Sequence, residues 1–249
     1  HYPVDDPKVA GAYGEWKDYN AYSDFISSEG APVFYARVDH VSVPLDKEGT
    51  GQVVVDFTPE PLTQDVSFAF HIEKTAGVVV DSLTAEISGV PSTMELTTGL
   101  ILAQKTYKLL FRPAYAALPS AADSTSTEAL RCEAAVNIPG IVRSHTEDMV
   151  TGPGILQIAI YTHYDYEEEG TQRKAAKVFH AGINLYHTLK ECKSLQWDEE
   201  AGGYRQASRS ITVEIGTPLE IDKDGILNSG STSTGLDQWI PGETFEIEV

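Results

Sequence analysis

The chain has 249 residues, with 18 Lys and Arg against 37 Asp and Glu, and a formal charge of −19. That balance argues against nucleic acid or an anionic membrane surface as the main partner, since both demand a basic face. The hydrophobic fraction of 41% is that of a globular chain, and no apolar run approaches the ~20 residues of a membrane-spanning helix.

Residues 1–32 are rich in Asp, Gly, Pro, Tyr and Ser, with little periodicity. Within them Trp16, Tyr19, Tyr22 and Phe25 recur at helical spacing, a stripe that packs on a sheet or forms an exposed aromatic patch. Residues 33–38 and 41–43 are short β runs, and 52–58 reads as a strand stopped by Pro59 and Pro61, because proline cannot donate to a ladder. Residues 64–96 organise the rest. Val66, Phe68, Phe70 and Ile72 recur at period two, then after Thr75-Ala76-Gly77 so do Leu83, Ala85 and Ile87. Each run has one apolar and one wet face, and the short break predicts a hairpin-like pair in an antiparallel sheet. The Phe68, Phe70, Leu83 and Ile87 face is expected to hold the fold together.

Tyr107, Leu109 and Phe111 alternate next, and residues 113–128 read as a long low-complexity loop. Leu130 to Ile138 alternate cleanly. Residues 155–164 are apolar on both faces at first, as in a central strand, and 177–186 return after a hairpin tip at Glu167-Glu168-Glu169-Gly170. Residues 189–192 suggest one helical turn, and Trp197 and Tyr204 flank Glu199-Glu200-Ala201-Gly202-Gly203 as a hairpin. Ile211, Val213 and Ile215 alternate, 222–235 is a polar loop, and the chain closes on strict alternation over 245–249, the pattern of a C-terminus docked in a sheet. About ten short strands with almost no helix make an all-β sandwich the economical fold, and no fixed-period repeat points to a propeller or solenoid.

Catalytic signatures are absent from the sequence: it holds no Gly-rich phosphate loop, no Gly-x-Ser-x-Gly elbow and no His-Glu-x-x-His pair. Among seven histidines, His71, His163 and His180 fall on strands, where solvated or hydrogen-bonded structure is the ordinary role. Asp222-Lys223-Asp224-Gly225 resembles part of a calcium loop but lacks the third acidic ligand and the distal Glu, and Asp-Gly is equally a turn signal. Asp165, Glu167, Glu168 and Glu169 read as a solvated tip rather than a glycosidase carboxylate pair. Cys132 and Cys192 fit no metal or redox motif and leave two states open, one disulfide or two buried thiols. No catalytic residue, metal site or cofactor is expected.

The run 66–73, the turn, and Leu83-Thr-Ala-Glu-Ile-Ser-Gly-Val90 resemble the strand pair of fimbrillin-type proteins of Bacteroidales, in particular anchor or accessory subunits of fimbriae. Phe34-Tyr35-Ala36, the run 53–61, the strands at 130–139, 155–164 and 177–186, and the closing Trp239 strand follow the same order, so the likeness spans residues 33–249. The resemblance implies a transthyretin-like, Greek-key type antiparallel β-sandwich at 46–249, carrying the loop 113–128, after an irregular N-terminal arm at 1–45. It also implies export to the outer membrane or cell surface, assembly with other fimbrial subunits by β-strand complementation, and a part in adhesion to host or microbial ligands. The lipidated cysteine and complete N-terminal sandwich of that family do not appear here. Since the sequence starts at His1-Tyr2-Pro3, it reads as a mature or trimmed chain. The rival expectation is a glycan-binding sandwich that stacks sugars on Trp16, Trp197 or Trp239, or on nearby tyrosines.

Overall fold

The alternating runs become strands in a computed structural model, which describes residues 25–26, 33–38, 40–42, 53–102, 105–118, 127–227 and 237–247. Two short pieces come first, β1 (Phe25–Ile26) and β2 (Phe34–Tyr35), then β3 (Glu60–Pro61), β4 (Gln64–Thr75), β5 (Val78–Pro91), β6 (Thr106–Phe111) and β7 (Ala114–Ala117). Then follow β8 (Thr127–Ile138), β9 (Ile155–Glu168), β10 (Thr171–Asn184) and the helix α1 (Tyr186–Cys192). The hairpin β11 (Leu195–Asp198) and β12 (Gly203–Gln206) precedes β13 (Ser210–Glu214), β14 (Leu219–Ile221) and β15 (Trp239–Ile247).

These strands form an all-β sandwich. One layer is a six-stranded sheet in the order β1-β6-β5-β9-β10-β15, and the other runs β13-β4-β8-β7 with β14 also on β4. β9 is central, as its two apolar faces require, and its hairpin to β10 closes on Glu169 and Gly170. Both turn residues have positive φ (51° and 76°), the geometry that matches strand twist. β15 lies at a sheet edge, the position that tolerates Pro241, which has no N–H to give.

The structure corrects the hairpin expected at 64–96. β4 and β5 belong to different sheets: β4 pairs with β8, β13 and β14, whereas β5 pairs with β6 and β9. Each strand already has neighbours on both sides, so no hydrogen-bonding edge is left for the other. Ala76 and Gly77 therefore turn the chain over as an arch, and the two apolar faces meet across the sandwich instead of lying side by side. Lys74 braces the arch: its buried ammonium donates to Val78 O at 2.6 Å and pairs with Glu128.

The core is the face expected of it. Phe68, Phe70, Leu83 and Ile87 are all buried, together with Ile158, Phe179, Val213 and Trp239. Phe68 of β4 stacks on Phe111 of β6 with centroids 5.1 Å apart, and Phe70 meets the edge of Trp239 of β15 at 5.9 Å. Both contacts bridge the layers, and each such side chain contributes ~1.5–3 kcal/mol by leaving water.

Three further expectations change. The sheets are not purely antiparallel, since β13 and β14 run parallel to β4 and β1 runs parallel to β6. Residues 53–59 form no strand; Val54 and Phe57 are exposed, so the run's β-type composition finds no buried face to pack on. Within the stretch 113–128, Ala114–Ala117 pair with β8 as the edge strand β7, and 127–128 open β8; residues 119–126 lie outside the described residues. The arm's β1 joins the six-stranded sheet and β2 pairs with β3 beyond residue 45. The helical stripe at Trp16, Tyr19 and Tyr22 lies outside the described residues, while Phe25 sits in β1. No helix among the described residues is long and apolar enough to cross a membrane.

Candidate functional site

Beside the sandwich the loops at 139–154, the end of α1 and the β11–β12 hairpin enclose an open cleft of about 380 Å³. Its walls include Arg143 and His145 from the loop, Lys190 and Lys193 from the helix end, and Trp197 and Tyr204 from the hairpin.

Each wall is fixed by buried polar groups. In β5 a bulge at Ser88 and Gly89 receives the loop. Ser88 donates its hydroxyl to Gly152 O at 2.6 Å and accepts from Ile155 N, while Val142 N donates to Gly89 O at 2.9 Å. Gly89 must be glycine: its φ is +87°, and a Cβ would stand 2.5 Å from Val142 O. At the loop's far end Asn184 shares its amide hydrogens among the carbonyls of Thr146, Glu147 and Met149 (2.9–3.1 Å) and accepts from Ser144. These bonds set Arg143 and His145 at the cleft.

The hairpin is anchored from β4. Gln64 is fully buried; its amide donates to Ser194 O and Ser208 O, and its oxygen accepts from Ser194. Gln206 reaches Leu62 O at 2.6 Å and Pro139 O at 2.9 Å. A paired bridge between Ile101 and Tyr204 holds the hairpin's inner strand. Trp197 faces Tyr204 across the ladder, with the rings edge to face at 5.0 Å. Trp197 nevertheless stays 49% exposed.

Helix α1 begins without a cap from Leu185. Asp237, ahead of β15, supplies one by accepting from His187 N and from Thr188 N and Oγ1. The helix ends at Lys193 in the left-handed region (φ 52°), where glycine is the usual occupant. Arg143 lies over the Tyr186 ring at 5.3 Å and Lys190 over the same ring at 5.8 Å, contacts that hold both cations at the rim.

The residues singled out from sequence fall elsewhere or do other work. Trp239 is buried in the core and offers no stacking surface, and Trp16 lies outside the described residues. The Asp222 carboxylate caps its own turn by accepting from Asp224 N and Gly225 N at 2.7 Å, as the turn reading requires. His163 bonds Asp81 at 2.8 Å, and His180 packs edge-on to Phe245. Asp165 and Glu167 are exposed near the hairpin tip, where Glu168 pairs with Arg173. No group of three or more His, Cys, Asp or Glu converges among the described residues. Cys132 and Cys192 are free thiols; burial pushes the Cys132 thiol up to about 12, away from reactive thiolate.

The largest electrostatic perturbation is on the outer face of the six-stranded sheet, where Glu86 and Lys108 form a buried pair at 3.3 Å. Burial raises the Glu86 carboxyl to about 7 and lowers the Lys108 amine to about 7, each partly offset by attraction to the other. Neither residue lines the cleft.

Sequence reading reached Trp197 and Tyr204 through their hairpin, but not the cations that join them. Arg143, Lys190 and Lys193 are scattered in a chain dominated by acids, and no local pattern in the sequence marks them. Compared with family models, curated proteins and solved structures, the chain finds no match.

Proposed function

We propose that the chain is a non-enzymatic, exported fimbrial accessory or anchor-like subunit that acts at the outer membrane or cell surface and contributes to adhesion. It assembles with other fimbrial subunits by β-strand complementation, and its sandwich is of the transthyretin-like, Greek-key type. The resemblance over residues 33–249 motivates the reading, and one structural relation supports it. β6, six residues long, stands next to the edge of the large sheet and is met there by a β1 of two residues, opposite Lys108 and Leu109. The rest of that edge has no ladder partner among the described residues, and Leu110 on it is 36% exposed. A sheet edge is a template on which main-chain hydrogen bonds build affinity while alternate side chains give specificity. Shearing appendages from the producing cells and probing them with antibody to this chain tests the reading. The protein is expected in the sheared fraction and along the filaments by immuno-electron microscopy; absence from every surface fraction would overturn it.

A second reading, a glycan-binding module of a surface protein, is favoured by the exposed Trp197 at the cleft. An aromatic side chain half open to solvent beside polar cleft residues is suited to a ring with one apolar face.

A further inference from the structure

The cleft's charge runs against that of the chain. Arg143, Lys190 and Lys193 line it and no Asp or Glu does, although acids outnumber bases 37 to 18 overall. None of the three cations forms an ion pair among the described residues; Arg143 and Lys190 rest instead on the π face of Tyr186. That contact orients a cation without neutralising it, so its charge stays available to a ligand. Lys193 is held at a left-handed backbone position, where glycine is the usual occupant. Its side chain places a third positive charge at the rim.

The remaining lining suits hydroxyls. Tyr204 lines the cleft, and its hydroxyl makes no hydrogen bond among the described residues. Trp197 adds the exposed ring. At about 380 Å³ the space is within the size range of small-ligand sites, ~300–1,000 Å³. The walls are held by buried hydrogen bonds from Asn184, Ser88 and Gln64, so the site is formed before a ligand arrives.

We propose that this cleft binds a carboxylated saccharide, with a sugar ring stacked on Trp197 and its carboxylate held by Arg143, Lys190 and Lys193. The guanidinium fork matches a carboxylate in shape, and two ammonium groups add charge without directional demand. The proposal rests on the glycan-binding reading of the same cleft and is independent of the fimbrial one.

Tryptophan fluorescence and calorimetric titration of the intact chain test it. The probes are tetragalacturonate against its methyl ester, and sialyllactose against lactose. At least one acid is expected to bind, with affinity falling ~10-fold or more when its carboxylates are esterified or absent. Trp197→Ala, with retention of the fold checked by circular dichroism, is expected to lose ~10-fold or more, and Lys190→Ala with Lys193→Ala several-fold, with binding weakened by salt. Equal binding of acid and neutral forms would overturn the charge assignment and leave the glycan reading in place. No binding by any of the four probes at millimolar concentration would overturn both. Acid binding that survives Trp197→Ala unchanged would place the ligand elsewhere and overturn the proposal.

Discussion

The Ser144 hydroxyl stands 2.9 Å from Asn184 Oδ1 and 2.7 Å from Pro153 O, one hydrogen shared between two acceptors, and joins the cleft loop to the last residue of β10. Because both side chains are buried, the bond is shielded from water and leaves no competing solvent partner. The same Asn184 amide serves three carbonyls of that loop. One side chain thus couples the rigid sheet to the segment that carries Arg143 and His145.

Replacing Asn184 should therefore loosen the cleft as well as the fold. Asn184→Ala leaves buried carbonyls without donors and is expected to cost ~2–4 kcal/mol. Asn184→Asp keeps the shape but turns a donor toward three carbonyls into a carboxylate, so it should be at least as damaging. Urea unfolding gives the stability loss, and hydrogen exchange should show faster exchange over 143–149 before the sheet is affected.

Gly89→Ala is expected to be more severe than its one added methyl suggests. The new Cβ meets Val142 O at 2.5 Å and Gly154 N at 2.8 Å, both backbone atoms, at φ +87°. Relief requires moving the loop off the β5 bulge, at a cost of several kcal/mol, ~3 or more. Poor soluble yield, or a large drop in melting temperature, is the expected result; Gly77→Ala, which meets no atom within 4 Å at φ +91°, should be milder.

Phe70 touches the core of both layers through Trp239. Phe70→Ala should destabilise the sandwich by ~3–5 kcal/mol through lost burial and the cavity left behind. The denaturation midpoint should fall with little change in slope, since the surface exposed on unfolding is nearly the same.

The Glu86–Lys108 pair makes stability depend on pH in a valley. Glu86 holds its proton more tightly folded than unfolded, so its contribution falls as pH rises from 4.5 to about 7. Lys108 gives up its proton more readily folded than unfolded, so its contribution recovers as pH rises from about 7 to 10.5. The double variant Glu86→Gln with Lys108→Met removes both terms. Unfolding free energies at about pH 5, 7 and 9 should show the variant gaining most relative to wild type near neutrality; a difference independent of pH would refute the assignment.

Much of this fold was readable from alternation. β8, β9, β10 and β13 appear where period-two runs stand, and the Glu169-Gly170 turn and the Trp197–Tyr204 hairpin lie where turn chemistry put them. The arch between β4 and β5 was not, because a two-residue break fits a hairpin and an arch equally; only the partners elsewhere in the chain decide. The parallel addition of β13 and β14 to β4 is likewise a long-range choice. Residues 53–58 show the opposite failure, in which a good strand composition lacks a face to bury. At the cleft, local sequence supplied the aromatic pair, whereas the convergence of Arg143, Lys190 and Lys193 depends on buried Ser88, Asn184 and Gln64, whose partners lie up to 144 residues away.

Strand addition at the β6 edge is most directly tested by a photo-cross-linking residue at Leu110, introduced into the protein in the producing cells and activated on intact surfaces. The account predicts a covalent adduct to a fimbrial subunit, with the linked peptide in an extended segment of the partner. Activation that yields no adduct, while the chain is present at the surface and folded, would contradict it.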